Sequence, residues 1–285
     1  MTVLSAHLMR GKDRLPRFFY GTAWKEDATA ELTFQALSAG FRAIDTANQR
    51  KHYFEEGVGA GLARFLAENR ASREDIFLQT KFTYARGQDH RKPYNEREAF
   101  TRQVADSFAS SLAHLGVATL DSYLLHGPYH ADEVSEQDLE TWAAMEALVE
   151  SGKVKFLGVS NVTASQLEGL CSNVRIPPAF VQNRCFARLG WDREVRQICA
   201  QKNVVYQGFS LLTANRAELA GPDVAEIAQL HRKSIPQIVF RFAQQLGMIT
   251  LTGTSRMEHM RMDLEVYDFE LNAREMQMLE TLCSV

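Results

Sequence analysis

The sequence predicts an α/β fold, a single (β/α)8 TIM barrel with an N-terminal cap segment, and three observations predict it. Eight short apolar runs of β type follow one another along the chain. Stretches with helical spacing lie between them, giving strand and helix in alternation, the order of a parallel sheet. The length of 285 residues suits one barrel, since such domains run to about 250 residues.

The strands are expected at Phe18–Ala23, Phe41–Ala47, Ile76–Phe82, Leu120–His126, Val154–Ser160, Phe180–Cys185, Val204–Ser210 and Met248–Gly253. Several are too continuously apolar to keep one face in water, among them Val154, Phe156, Leu157 and Val159. That is the signature of parallel strands covered by helices. Helical spacing is expected at Ala28–Ser38, Glu55–Glu68, Glu96–His114, Glu136–Ser151, Ala164–Cys171 and Arg193–Lys202, with a final short helix around Arg274–Leu282. Thr163 with Gln166 three residues on is a helix-start signature, and Ser151-Gly152 a stop. Two segments fall outside the repeat. Met1–Pro16 is expected to cap the closed end of the barrel, and Thr83–Asn95, a polar insertion after the third strand, lies where active sites form and is expected to shape the opening. With no linker, low-complexity tract or charged tail, residues 1–285 read as one domain.

A composition 45% hydrophobic and 24% charged, with formal net charge −3, argues against disorder and against a nucleic-acid partner. The cysteines Cys171, Cys185, Cys199 and Cys283 are widely spaced, without a zinc-site pattern, so no metal is expected and they read as reduced thiols of a cytoplasmic protein. No signal segment and no apolar run of about 20 residues is present, so neither secretion nor a membrane span is expected.

Polar residues collect where the strands end. The first four strands close on Gly21-Thr22-Ala23-Trp24, Asp45-Thr46-Ala47, Thr80-Lys81 and His126; the others on Ser160-Asn161, Gln182-Asn183, Gln207-Gly208-Phe209-Ser210 and Thr252-Gly253-Thr254-Ser255. In this order they resemble the aldo-keto reductase family over essentially the whole chain. That family's tyrosine, acidic pair and Val-Gly match Tyr53-Phe54-Glu55-Glu56-Gly57-Val58-Gly59. The resemblance implies reduction of aldehydes and ketones with Tyr53 as proton donor. The family's usual spacing from Asp45 puts the tyrosine at position 50, which is Arg50, so about two extra residues lie between Asp45 and Val58.

The chemistry supports that assignment. Reducing a carbonyl needs hydride at carbon and a proton at oxygen, and an isolated tyrosine, with a pKa of about 10, is a sluggish acid or base at neutral pH. Lys81 beside the phenol is expected to lower that pKa, and Asp45 to keep the lysine charged and oriented. His126 takes, by the resemblance, the role of positioning the substrate oxygen, and Trp24 joins Tyr53 and His126 in walling the substrate pocket. Blander readings stand beside these: a structural ion pair for Asp45 and Lys81, an interior histidine, a rim tyrosine, a core tryptophan.

No GxGxxG sequence follows a strand, which excludes a Rossmann dehydrogenase. The resemblance implies that Ser160, Asn161 and Gln182 hold a nicotinamide carboxamide and that Phe209, where tyrosine is commoner, stacks on the ring. Asp45, Gly21, Thr22, Ala23, Ser210 and Leu211 complete that part of the expected cofactor site. The adenosine end falls to Gly253, Thr254, Ser255, Arg256 and the helix start carrying His259. Many relatives have lysine and arginine at the positions of Gly253 and His259, leaving Arg256 for a 2′-phosphate or as a solvated loop charge. NADPH is favoured, with NADH able to compete. A small-molecule carbonyl substrate and a monomer are expected, with a more open pocket because the chain ends soon after its final short helix. Two rival functions remain: a Schiff-base lyase using Lys81, and a nicotinamide-binding barrel of slow turnover serving as a redox sensor or partner subunit.

Overall fold

The computed structural model describes residues 5–69 and 71–282. Cys283 and the first four residues of the expected cap lie outside them. The rest of the cap is an antiparallel hairpin of β1 (His7–Arg10) and β2 (Asp13–Pro16).

Eight parallel strands then close into a barrel: β3 (Phe18–Gly21), β4 (Ala43–Asp45), β5 (Phe77–Phe82), β6 (Leu120–Leu125), β7 (Val154–Ser160), β8 (Phe180–Arg184), β9 (Val205–Phe209) and β10 (Ile249–Thr252). All eight expected runs are strands, with ends shifted by up to two residues. Helices α1 (Thr29–Ala39), α2 (Glu55–Asn69), α3 (Phe100–Leu115), α4 (Glu136–Glu150), α5 (Ala164–Asn173) and α6 (Arg193–Gln201) follow β3 to β8 in turn. Between β9 and β10 the chain inserts α7 (Arg216–Leu219), α8 (Pro222–His231) and α9 (Ile235–Gln245), and α10 (Met257–Leu264) and α11 (Ala273–Glu280) close the fold. The sequence reading did not bring out α9, although Gln237, Arg241, Gln244 and Gln245 recur at helical spacing; in the fold Gln237 through Gln244 are buried together with their apolar neighbours.

Local signals act as expected. Thr163 Oγ1 accepts from the Gln166 N–H (3.2 Å) while the Gln166 side chain accepts from the Thr163 N–H (3.0 Å), a reciprocal cap for α5. Gly152, at φ +70°, ends α4 in the left-handed conformation that glycine adopts without Cβ strain.

Side chains two apart along a strand share a face, and this stacks the barrel interior in layers. At the closed end lie Phe19, Phe77, Phe156 and Phe180, with ring centroids of neighbouring pairs 5.2–6.4 Å apart. The hairpin seals them from below through Leu15 and Leu8, held by the Lys155–Asp13 ion pair (2.7 Å) and by Arg10 over Phe156 (5.5 Å). Two residues further along β5, β8 and β9 come Gln79, Gln182 and Gln207, and above these Asp45 and Lys81. A wholly apolar plug thus gives way to polar groups only at the C-terminal mouth.

Candidate active site

Lys81 is wholly buried, and Asp45 nearly so. Lys81 Nζ donates to both Asp45 carboxylate oxygens and to the Thr46 carbonyl, each at 2.8 Å. Burial lowers the lysine pKa, with the Asp45 carboxylate opposing that shift. Three acceptors around one nitrogen are matched by the three N–H groups of an ammonium, and Lys81 is not in the cavity wall. A Schiff base needs a neutral, accessible amine, so this geometry disfavours the lyase.

Tyr53 reaches the cavity despite the altered spacing. The extra residues form one turn, in which the Tyr53 and His52 N–H groups both donate to the Gln49 carbonyl (2.9 and 3.0 Å). Arg50 points away, 3.7 Å from Glu26 and with its guanidinium 4.3 Å from the Phe54 ring centroid. The Tyr53 ring lies 5.3 Å from Lys81 Nζ and 5.9 Å, edge to face, from the His126 ring. Sequence reasoning expects Lys81 to lower the phenol pKa. Instead burial, followed by the Asp45 charge, raises it above its usual value. The physical reason is that the ammonium is turned toward Asp45 and Thr46, so desolvation wins and the hydroxyl stays protonated at neutral pH.

His126 is held well below its ordinary pKa, first by burial and then by Lys81, which makes it a neutral imidazole. Its Nδ1 lies 2.7 Å from Thr83 Oγ1. Thr83 begins the insertion after β5, yet no residue of Thr83–Asn95 lines the cavity. The expectation that this loop shapes the opening is corrected: it braces the site from behind. The Gln49 side chain donates to the Gly87 carbonyl (2.7 Å), Gln88 Nε2 to the Asn48 carbonyl (2.8 Å), and the Tyr94 hydroxyl to the Thr83 carbonyl (2.6 Å).

A cavity of about 820 Å³ opens over these groups. Asp45, Tyr53 and His126 lie in its wall with Gly21, Ala23, Ser160, Asn161 and Gln182. Phe209, Ser210 and Leu211 follow on one side, and Gly253, Thr254 and His259 on the other. Trp24 also lines it, but as a rim residue 68% exposed, with its ring 4.0 Å from that of His52. The apolar wall expected from Trp24 is therefore a mixed one, shared with His52 and Gln49.

Three expected cofactor contacts lie elsewhere. Thr22 is buried with its hydroxyl donating to the Asp45 carbonyl (3.0 Å). Neither Ser255 nor Arg256 is in the cavity wall, and Arg256 pairs with Glu258 at 3.0 Å on the outside, both side chains more than half exposed. The reading missed Gln49 and His52, in the turn after β4, and Arg184, at the end of β8, all of which line the cavity. The two turn residues carry no period to betray them.

The polar wall suits a carboxamide. Asn161, in the left-handed region at φ 55°, donates to the His126 carbonyl (2.8 Å) and to Ser160 Oγ (3.0 Å), which leaves Oδ1 as its unbonded group. Gln182 Nε2 is likewise engaged, leaving Oε1. With the aromatic face of Phe209 in the same wall and Gly253, Thr254 and His259 further along it, the residues present fit a nicotinamide dinucleotide.

A closed barrel with a lysine–aspartate pair, a tyrosine and a histidine at its C-terminal mouth is the architecture of an oxidoreductase site. The chain belongs to the aldo/keto reductase family, whose profile it matches across residues 18–283. It is 32% identical to an uncharacterized oxidoreductase of Bacillus subtilis over 87% of this chain and 81% of that protein. It is 30% identical to a glyoxal reductase of the same organism over 87% and 80%. Among solved structures, an aldo/keto reductase from Brucella melitensis superposes with a TM-score of 0.81 at 27% identity, covering 97% of this chain and 98% of that one. The family relationship carries carbonyl reduction as the general chemistry. No helix among the described residues is long and apolar enough to cross a membrane.

Proposed function

We propose that this protein reduces aldehydes and ketones to alcohols with a nicotinamide dinucleotide, NADPH in preference to NADH, and that Tyr53 donates the proton. The observation that carries this reading is the convergence of Tyr53, His126 and the Lys81–Asp45 pair at one end of a cavity whose wall also holds Ser160, Asn161, Gln182 and Phe209. The bound dinucleotide supplies the hydride.

The residues divide the remaining work. Tyr53 keeps its hydrogen at neutral pH, because burial and Asp45 disfavour the phenolate, and gives it up only as the substrate oxygen becomes an alkoxide, a far stronger base. Lys81, its charge fixed behind the ring, offsets the phenolate that forms before solvent returns a proton. The Thr83 hydroxyl has no other partner among the described residues, so it donates to His126 Nδ1 and leaves the ring N–H on Nε2, available to the substrate oxygen. Ser160, Asn161 and Gln182 hold the carboxamide, Phe209 takes the ring face, and Gly253, Thr254 and His259 meet the adenosine end. Arg256 reaches a 2′-phosphate by leaving Glu258, an exposed pair worth about 0–1 kcal/mol. The substrate is a small carbonyl compound admitted past Trp24 and His52. The described cysteines, Cys171, Cys185 and Cys199, are unpaired, which supports a reducing compartment, the cytoplasm.

The test is a fluorescence titration with NADPH and NADH, followed by cofactor absorbance on addition of a panel of aldehydes and ketones. The expected result is turnover by the wild type and a loss of about 10²- to 10⁴-fold in Tyr53→Phe at equal cofactor affinity. Tight binding with negligible turnover across the panel would replace this reading by the sensor.

A further inference from the structure

The glutamines Gln79 and Gln207 share the layer of Gln182 and are both fully buried. Their hydrogen bonds leave one consistent assignment. Asp45 Oδ1 accepts from Gln79 Nε2 (2.7 Å), Gln182 Nε2 (3.0 Å) and Lys81 Nζ (2.8 Å). Because a carboxylate can only accept, both glutamines must turn their NH2 groups toward it. Each NH2 has a second hydrogen, and Gln207 Oε1 takes both, at 2.9 Å from Gln79 Nε2 and 2.9 Å from Gln182 Nε2. Gln207 Nε2 then donates to Gln79 Oε1 at 3.0 Å, which closes the ring. Reversing Gln207 would point its NH2 at two other NH2 groups and leave buried donors without acceptors, a costly arrangement.

We propose that Gln79 and Gln207 are positioning residues that lock the amide of Gln182 with only its oxygen presented to the cavity, so that the site selects a ring substituent that donates a hydrogen bond. Gln182 Nε2 is held from two sides, and Oε1 is the polar atom left to a residue in the cavity wall. A primary carboxamide satisfies that oxygen; an acetyl group of the same shape does not. The inference rests on the nicotinamide reading above.

The experiment compares equilibrium binding of NADP+ and its 3-acetylpyridine analogue, in which CH3 replaces the carboxamide NH2, by quenching of tryptophan fluorescence. The wild type is expected to prefer the carboxamide by about tenfold, the scale of one hydrogen bond. Gln207→Met fills the same space without accepting from either amide, and its preference is expected to fall to about twofold. A full tenfold preference in Gln207→Met, or equal binding of the two dinucleotides by the wild type, overturns the proposal. Should Gln207→Met not fold, Gln79→Met, which removes the partner that orients Gln207 from both ends of its amide, is expected to show the same fall, and an unchanged tenfold preference there overturns the proposal. A wild type that binds neither dinucleotide sinks the nicotinamide reading and this inference with it, an outcome distinct from binding without discrimination.

Discussion

Asp263 offers a stability measurement at the cavity wall. It lies on α10, 4% exposed, where Thr252 Oγ1 donates to its Oδ2 at 2.8 Å and no cation among the described residues is paired with it. Burial outweighs that hydrogen bond and raises the carboxyl from 3.8 to about 6. A shift of about 2 units, at 1.36 kcal/mol each, means that holding the carboxylate in the folded state costs about 3 kcal/mol at neutral pH. Asp263→Asn keeps the shape and the acceptor for Thr252 while removing the charge. It should therefore stabilise the protein at pH 7 by up to about 3 kcal/mol, or about 6 °C in Tm for a chain of this size. Because the folded pKa lies above the unfolded one, the penalty from Asp263 is absent below pH 4 and sets in as pH rises through about 6. Thermal melts of both proteins between pH 4 and 8 should converge at the acid end and reach their full separation above pH 6. A separation that does not change with pH, or a variant no more stable than wild type at pH 7, would refute the reasoning.

Other perturbations follow from the same contacts. Lys81→Met strands the Asp45 carboxylate in the barrel and should cost about 3–5 kcal/mol in chemical denaturation, much of it recovered by adding Asp45→Asn; a neutral single variant would contradict a buried ion pair. Thr83→Val frees His126 to change tautomer, and should lower kcat about tenfold with cofactor affinity intact. Nitrogen-15 spectra of the imidazole supply the independent readout, and an unchanged tautomer would remove Thr83 from its role. Arg256→Ala should leave Tm unaltered, since its pair is exposed, while weakening NADPH and sparing NADH by about tenfold relative to each other. Equal affinities in wild type and variant would show that the arginine does not meet the 2′-phosphate.

Much of this protein was legible along the chain because the governing physics is local. Strand runs such as Val154–Ser160, caps such as Thr163 with Gln166, and polar strand ends at Asp45, Lys81, His126 and Ser160 all follow from a period of two or 3.6 residues and from a barrel's placing its site at one end. The pairing of residues distant in sequence was decided only by the tertiary structure. Gln79 meets Gln207 across 128 positions, Thr83 meets His126, and the turn from Gln49 to Tyr53 absorbs a spacing that sequence comparison alone put in question. The sign of the Tyr53 shift was likewise beyond the sequence, because it depends on which way the Lys81 ammonium points and on how much water the folded barrel excludes. Desolvation and hydrogen-bond polarity belong to the assembled interior, where each group's state is set by neighbours that the chain brings together only on folding.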